Sequence, residues 1–234
     1  VSFGDQEVVR SVSFNISLGD RVALVGQPLG DERAGYTNSA VGLAGGAAVY
    51  RYNKVHLVPF GEFVPSGFRW FTELMQMPLG DFDRGSPRSA SFEILGQRLA
   101  PNICYEDLFA EELAARFLDP ARAPTVLVNL SNIGWFGDTV ALPQHLNISR
   151  MRALELQRPV LRATNTGVTA AIDHRGAVVG QLPAMVRGVL DVRVQGRSGT
   201  TPFAAWSGRW GLWPLVVLGV ALVLGAVCVG RRRP

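Results

Sequence analysis

The side chains that most often act as nucleophiles or proton carriers are scarce in this chain of 234 residues. It has two cysteines (Cys104 and Cys228), three histidines and a single lysine, Lys54, beside 22 arginines. Two cysteines cannot make a disulfide framework, and Cys228 lies in an apolar run, which excludes a small disulfide-stabilised scaffold. Because no group of His, Cys, Asp and Glu has the spacing of metal ligands, we predict no metal and no cofactor.

Excess charge is also lacking. The 23 basic and 19 acidic side chains give a formal charge of +4, of which the arginines at 231–233 supply three. The rest of the chain is nearly neutral, so we predict no nucleic-acid partner. With 47% apolar residues and a mean hydropathy of +0.16, the chain can bury a full core but is too apolar to be purely soluble.

The apolar excess is concentrated near the C-terminus. No charged residue occurs from 210 to 230, a helical length of about 30 Å, three tryptophans lie at the start of this run and three arginines follow it. The pattern predicts a transmembrane helix at 210–230, with a buried core helix as the alternative. A Gly/Ser/Thr-rich linker at 196–209 precedes this helix, and a cytoplasmic basic tail at 231–234 follows it. Residues 1 to about 205 then lie on the outer side of the membrane. Since no signal peptide precedes Val1, we expect the chain to be a fragment that lacks N-terminal membrane segments.

Between the ends, strand and helix patterns alternate. Apolar runs favour strands at 21–26, 47–52, 99–104, 125–130 and 160–164, and helical spacing favours helices at 107–118 and 143–156. Residues 168–179 have the pattern of a β-hairpin with Gly176 in its turn. This alternation is typical of a layered α/β domain.

Two residues stand out for chemistry. Cys104 follows an apolar strand and precedes a helix-like stretch, where N–H groups at a helix start favour a thiolate and offer hydrogen bonds to an oxyanion. A small buried hydrophobe is the other interpretation. Lys54 is the one ammonium in an arginine-rich chain, which suggests a role that guanidinium cannot fill, such as stabilising an oxyanion or moving a proton. A chance surface lysine is the alternative.

Five ordered motifs carry a resemblance to a known family. They are YRYNKVHLVPFGEFVP at 50–65, NICYE at 102–106, NLSNIGWFGD at 129–138, QH at 144–145 with RMRALE at 150–155, and RATNTG at 162–167. Together they resemble the nitrilase-like (CN-hydrolase) domain of bacterial apolipoprotein N-acyltransferases, over about residues 20–234. The implied fold is a nitrilase-like αββα sandwich, truncated at its N-terminal side and followed by one C-terminal transmembrane helix.

The resemblance implies an acyltransferase of the bacterial inner (cytoplasmic) membrane, with its catalytic domain (1–195) in the periplasm. It would move a fatty acyl chain from a phospholipid to the N-terminal amine of a diacylglyceryl-cysteine apolipoprotein. Cys104 matches the nucleophile that carries the acyl group as a thioester, and Lys54 matches the residue that stabilises the oxyanion together with the backbone N–H of Tyr105. Glu62 and Glu106 match supporting acidic positions; without the motifs each would be an ordinary loop or helix-start carboxylate.

One expected residue has no counterpart. The general base of such enzymes is a glutamate in a Trp-Pro-Glu or Trp-Ser-Glu context, and no such motif occurs here; neither Asp5 nor Glu7 fits it. We therefore predict that the base is not in this chain. A membrane-tethered amidase with the same Cys and Lys, and an inactive membrane-anchored remnant, remain alternatives.

Two further features have competing interpretations. His145 could pair with Cys104 as in papain-like enzymes, but its match to the QH motif favours a structural role. The aromatic-rich segment 60–82 is either ordinary core or an apolar arm that admits acyl chains to the site.

Overall fold

The computed structural model describes residues 22–31, 35–45, 47–68, 70 and 81–230, in which nine strands form two sheets. The small sheet is antiparallel, in the order β1 (Val22–Asp31), β2 (Gly35–Ala44), β3 (Ala47–Asn53). The large sheet follows chain order: β4 (Phe92–Ile94), β5 (Gln97–Ile103), β6 (Val126–Ser131), β7 (Val160–Thr164), β8 (Ala170–Ile172) and β9 (Val178–Gln181). Only the central pairs β5–β6 and β6–β7 are parallel.

Four α-helices and two 3₁₀ turns lie within the same ranges. The helices are α1 (Ala110–Ala115), α2 (Ala141–Leu156), α3 (Pro202–Trp210) and α4 (Trp213–Gly230), and the turns are Cys104–Leu108 and Gly134–Phe136. Each parallel connection between β5, β6 and β7 runs through a turn and a helix, as parallel pairing requires.

The domain has two apolar layers. The first lies between the sheets, where side chains such as Leu24, Ala40 and Tyr52 face Val128 and Leu130 of β6. The second lies between the opposite face of the large sheet and helices α1–α3, with members that are fully or almost fully buried: Ala100, Leu113, Phe117, Leu127, Leu156, Ile172 and Ala204. The layered α/β domain predicted from the sequence is thereby confirmed, with the described residues forming a sheet–sheet–helix sandwich.

Apolar runs located most of the large sheet. Strand β7 has the predicted bounds, β5 and β6 differ from the prediction by two residues at most at either end, and the β8–β9 hairpin has Gly176 in its turn at φ +74°. Strand β2 was not predicted, because its sequence GYTNSAVGLA has neither an apolar run nor clear alternation. It forms because it pairs with both β1 and β3 at the centre of the small sheet.

The predicted helix at 107–118 is wrong in its first turn. Residues Cys104–Leu108 form a 3₁₀ turn, Phe109 leaves helical geometry at φ −99° and ψ 81°, and α1 starts only at Ala110. The cause is Glu106, whose carboxylate accepts a hydrogen bond from the N–H of Ile103 instead of pointing to solvent.

The predicted linker at 196–209 also differs from the structure, because α3 occupies its second half. Thr201 caps this helix by accepting a hydrogen bond from the N–H of Ala204 at 3.0 Å, and Pro202 takes the first helical position, where its missing N–H costs nothing. A Cβ on Gly208 would lie 2.5 Å from the carbonyl oxygen of Ala114, so α3 packs closely on α1.

Helix α4 begins at Trp213, three residues later than the start of the predicted apolar helix. Gly211, at φ +55°, separates it from α3, and the two helices meet at a bend of 74°. In the described part of the chain no single helix meets the length and hydropathy expected of a membrane span, whereas α3 and α4 taken together as one bent pair do.

Candidate active site

Cys104 lies at the carboxyl end of the parallel strands, where the chain turns sharply. It is the first residue after β5, and its φ of +52° is in the left-handed region that residues with a side chain rarely adopt. Such a conformation costs on the order of 1–3 kcal/mol and is concentrated at functional sites. The turn directs the thiol toward the loop after β6, where Sγ lies 3.5 Å from the carbonyl oxygen of Asn132.

Lys54 is buried beside this turn, with 1% of its side chain exposed. It follows the last residue of β3, and its Nζ lies 2.9 and 2.8 Å from the two carboxylate oxygens of Glu62. Glu62 also accepts hydrogen bonds from Asn38 Nδ2 at 2.7 Å and from the N–H of Val58 at 2.8 Å. This carboxylate is therefore held on three sides, and it fixes the position of the buried Lys54 side chain.

The environment of Cys104 favours the neutral thiol. Burial raises the pKa of Cys104; the ammonium of Lys54 is the largest influence in the opposite direction, while Glu62 adds to the rise. Because only the thiolate form of a cysteine is strongly nucleophilic, a reaction at Cys104 in this environment would require a base that takes the thiol proton.

Glu106 connects the turn at Cys104 to the Lys54 segment. Its Oε2 accepts the N–H of Ile103 at 2.6 Å, and its Oε1 accepts the Tyr52 hydroxyl and the N–H groups of Val55 and His56 at 2.9, 2.6 and 3.2 Å. Burial raises the pKa of Glu106, and these hydrogen bonds oppose the rise. The backbone immediately before Cys104 and immediately after Lys54 is thus held by a single side chain.

Aromatic rings flank the site on its exposed side. The ring of His56 stacks on Phe109 at 3.4 Å between centroids and lies 5.6 Å from Tyr105, while its Nδ1 lies 2.8 Å from Glu112 of α1. The N–H of Tyr105 is in the first residues of a 3₁₀ turn, which have no partner within the turn and can face a ligand.

A row of buried polar residues beneath Cys104 was missed by the sequence analysis. Asn102 of β5, Asn129 of β6 and Arg162 of β7 are in direct register across the large sheet and are all almost fully buried. Asn129 donates to Asn102, and Arg162 donates to Asn129 at 3.2 Å. The signal was a buried polar residue inside each of three largely apolar strands.

Charged and polar groups complete this layer from the helix side. Asp107 lies 4.0 Å from Arg162 and accepts a hydrogen bond from Ser149 of α2, while His145 of α2 contacts Arg162 through Nδ1. Burial raises the pKa of Asp107, and burial together with the Arg162 charge lowers the pKa of His145 to about 3. His145 is therefore a weak base, and its Nδ1 contacts Arg162 and not the Cys104 thiol, which argues against a papain-like Cys–His pair.

Comparison with known proteins identifies the family. The carbon-nitrogen hydrolase family model matches residues 21–203. The chain belongs to the carbon-nitrogen hydrolase family. The fold agrees with it, since the structure of the C. elegans NitFhit protein matches 71% of this chain and 40% of its own with a TM-score of 0.56 at 23% identity. The nitrilase-like α/β fold predicted from the motifs is thus confirmed.

Within this family, the chain is similar to apolipoprotein N-acyltransferases. It is 63% identical to that of Verminephrobacter eiseniae over 203 residues and 49% identical to that of Ralstonia nicotianae over 228 residues, which are 83% and 97% of this chain. It spans about two fifths of the length of these curated relatives, 38% and 43% respectively.

The carbon-nitrogen hydrolase fold brings four predicted site residues together: Cys104, Lys54, Glu62 and Glu106. Asp5 and Glu7 lie outside the described residues, as do 69 and 71–80 of the predicted apolar arm.

Of that arm, Phe68 and Trp70 are exposed, which argues against ordinary core at these two positions. Among the described residues, no cluster of three His, Cys, Asp or Glu side chains could hold a metal ion.

Proposed function

We propose that this chain is the acyl-transfer domain of an apolipoprotein N-acyltransferase. Its substrates are a phospholipid as acyl donor and the N-terminal amine of a diacylglyceryl-cysteine apolipoprotein as acceptor. The observation that carries the proposal is the buried Lys54–Glu62 pair beside a cysteine in a left-handed turn. The identity of 49–63% to enzymes of that name supports the substrate class.

In the first half-reaction, the Cys104 sulfur attacks the carbonyl carbon of the phospholipid ester. A C–S bond forms, the charge moves to the carbonyl oxygen, and the Lys54 ammonium and the Tyr105 N–H stabilise this oxyanion. When it collapses, the C–O bond to the glycerol breaks. Lysophospholipid leaves with a proton, and the acyl group stays on Cys104 as a thioester.

In the second half-reaction, the apolipoprotein amine attacks the thioester carbon. The C–N bond forms, the C–S bond breaks, and the Cys104 thiolate is regenerated while the amine loses a proton. A base takes the thiol proton in the first step and the amine proton in the second, and we assign no residue of this chain to that role. Glu62, at 2.8 Å, holds the Lys54 side chain in place through both steps.

We also propose that α4 crosses the bacterial inner membrane and places the catalytic domain in the periplasm. Its side chains are apolar and exposed, for example Leu218, Val220 and Leu222, and the arginines at 231–233 follow it, which favours a cytoplasmic C-terminus. This arrangement brings Cys104 to the membrane side from which a phospholipid and a membrane-anchored lipoprotein can both arrive. In this arrangement, the exposed side chains of Phe68 and Trp70 contact the acyl chain of the donor phospholipid.

The test is the mass of the Cys104 peptide after incubation with phospholipid. We expect a gain of one acyl group, loss of that gain in Cys104→Ala, and release of the thioester by an amine-bearing diacylglyceryl peptide. Cys228→Ala is the matched control, because it removes the only other thiol and should acylate normally. Acylation of the Cys104→Ala variant would refute the proposal.

An amidase is the second candidate, because the family model that matches this chain is that of carbon-nitrogen hydrolases. It would form the same thioester and transfer the acyl group to water. Product analysis separates the two: free fatty acid without consumption of the amine supports the amidase, and N-acylated peptide supports the transferase.

A further inference from the structure

Helix α3 has one face that is packed firmly on the catalytic domain. Ala204 and Ser207 are almost fully buried, and Gly208, on the same side of the helix, lies close against the backbone of α1. At the start of α3, the hydroxyl of Thr201 donates to the carbonyl oxygen of Glu155 in α2 at 2.7 Å. Because α1 and α2 both hold it, α3 keeps a fixed direction relative to the domain.

The opposite face of α3 carries tryptophan and arginine. Trp206 and Trp210 are one helical turn apart and are 39% and 57% exposed, and the exposed Arg209 lies on the same face. Tryptophan is enriched where a protein meets the membrane–water interface, because the indole ring lies at the level of the lipid headgroups. A long arginine side chain next to it can place its guanidinium among the phosphates. This face therefore has the chemistry of a lipid contact.

The bend after α3 determines how this face is directed relative to α4. Gly211 has φ +55° and ψ −137°, a conformation that residues with a side chain rarely adopt, and the axes of α3 and α4 meet at 74°. When α4 lies along the bilayer normal, α3 lies about 16° from the membrane plane. Trp206 and Trp210 are about 6 Å apart along the α3 axis, so their depths then differ by less than about 2 Å.

We propose that α3 is an interfacial helix that lies on the phospholipid headgroups of the membrane that α4 crosses. Trp206 and Trp210 insert their indole rings at the headgroup level, and Arg209 contacts the lipid phosphates. The lipid contacts this face because the domain covers the opposite one. The inference rests on the proposed function only in taking α4 as a membrane span.

This contact fixes the orientation of the catalytic domain above the bilayer. A single span joined to the domain by a flexible linker would leave the domain free to rotate, whereas a second, nearly perpendicular contact removes that freedom. Helix α3 packs on α1, and α1 follows the 3₁₀ turn that begins at Cys104. The bend at Gly211 therefore holds Cys104 at one height above the lipid.

The experiment measures the depth of single tryptophans by quenching with spin-labelled phospholipids. The chain is inserted into vesicles of phosphatidylethanolamine and phosphatidylglycerol that carry the label either at the headgroup or deep in the acyl chain. With Trp206 retained and the other four tryptophans replaced by phenylalanine, we expect the headgroup label to quench at least about threefold more strongly than the deep label.

Two matched controls place a tryptophan elsewhere in the tryptophan-free chain. Leu218→Trp, within α4, should be quenched more strongly by the deep label than by the headgroup label. Val49→Trp, in the small sheet on the other side of the domain from the helices, should be quenched by neither label. Both positions are as exposed as those of α3, at 55% and 56%, so exposure alone does not separate them.

Gly211→Val tests whether the bend sets the position of α3. Valine does not tolerate a φ of +55°, so the variant favours one continuous helix, in which Trp206 lies about 10 Å above Trp213 and leaves the lipid. We expect headgroup quenching of Trp206 to fall at least about twofold. Gly219→Val, inside α4 with open space around its Cβ position, is the matched control and should not change this quenching.

Three outcomes would overturn the inference. Trp206 quenched no more than Val49→Trp, with normal deep quenching of Leu218→Trp, would do so and leave α4 as a membrane span. Absence of quenching at all three positions would contradict the proposed span as well. A blue-shifted emission of Trp206 that neither label quenches would show that a protein surface, such as a second copy of the chain, covers this face. Unchanged quenching in Gly211→Val would refute the role of the bend.

Discussion

The Nζ of Lys54 lies between the two carboxylate oxygens of Glu62, at 2.8 and 2.9 Å, with 1% of the lysine side chain exposed. Because a buried ammonium is stable only with such a partner, the position of the charge is set by Glu62 and not by solvent. The pair places one positive charge beside Cys104, where it opposes the rise in the pKa of the thiol.

Lys54→Arg should reduce the acylation of Cys104 by at least about 100-fold, since losing one oxyanion donor has an effect of this size. A guanidinium is larger and flatter than an ammonium and cannot occupy the same enclosed site with the same geometry. Mass spectrometry of the Cys104 peptide over time measures the rate. Arg51→Lys, at an exposed position three residues earlier, should leave it unchanged; full activity of Lys54→Arg would contradict the assigned role.

The alkylation of Cys104 by iodoacetamide should require more alkaline pH than a free cysteine does. Burial raises the pKa of the Cys104 thiol, so the reactive thiolate forms only as pH rises above the ordinary range. Lys54→Met removes the positive charge that opposes this rise in the Cys104 pKa. We therefore expect the midpoint of the pH–rate profile for alkylation to move to still higher pH. The pH–rate profile in a Cys228→Ala background measures both; a midpoint below about 8.5, the ordinary cysteine value, would refute the assignment.

Glu106→Gln should lower both stability and acylation. The carboxylate accepts four hydrogen bonds, and an amide would turn an NH₂ group toward at least one of these donors. We expect a loss of about 1–3 kcal/mol in the free energy of unfolding, and slower acylation because Cys104 and Lys54 are no longer held together. Thermal unfolding and the rate at which the Cys104 peptide gains one acyl mass are the measurements. Glu112→Gln, a more exposed carboxylate in contact with His56, should change stability less.

Stability should fall at mildly acidic pH through His145. The folded protein lowers the pKa of His145 from 6.5 to about 3, so the unfolded chain binds a proton first as pH falls. The contribution of neutral His145 to the free energy of unfolding is complete above about pH 6.5, and it is lost progressively as pH falls toward 3. Between pH 7 and 5.5 this amounts to roughly 1 kcal/mol.

The measurement for this prediction is the thermal midpoint as a function of pH. His145→Gln has no titrating ring at this position and should lose less stability over that interval than the unchanged protein. Arg162 and Asp107 are present in both the unchanged protein and the His145→Gln variant. The difference between their thermal midpoints over this pH interval therefore reports the titration of the His145 imidazole. Parallel curves for the two proteins would show that His145 titrates normally.

A charge in the middle of α4 should prevent membrane insertion. Leu218→Arg places a guanidinium near the centre of the proposed span, at a cost of about 2.5–3.5 kcal/mol. We expect more protein in the carbonate-soluble fraction. Val49→Arg in β3 is the matched control, because Val49 and Leu218 are 56% and 55% exposed and only one of them lies in the apolar helix. Equal membrane retention of the two variants would contradict the proposed span.

The amino-acid sequence alone determined the elements that depend on neighbouring residues. Apolar runs located β5, β6 and β7, and Gly176 located the β8–β9 turn. The motifs around Cys104 and Lys54 identified the family because several of them occur together, in one order along the chain. The membrane helix and the basic tail remain predictions, whereas the predicted linker at 196–209 is replaced in its second half by α3.

Only the tertiary structure decided features that depend on residues distant in the chain. Strand β2 exists through its pairing with two neighbours, and α3 is a packed helix because Gly208 fits against Ala114. The polar layer beneath Cys104 depends on the register of three parallel strands, which aligns Asn102, Asn129 and Arg162. Local spacing carries no information on register, and so the contact of His145 with Arg162 became visible only when the sheet and α2 were described together.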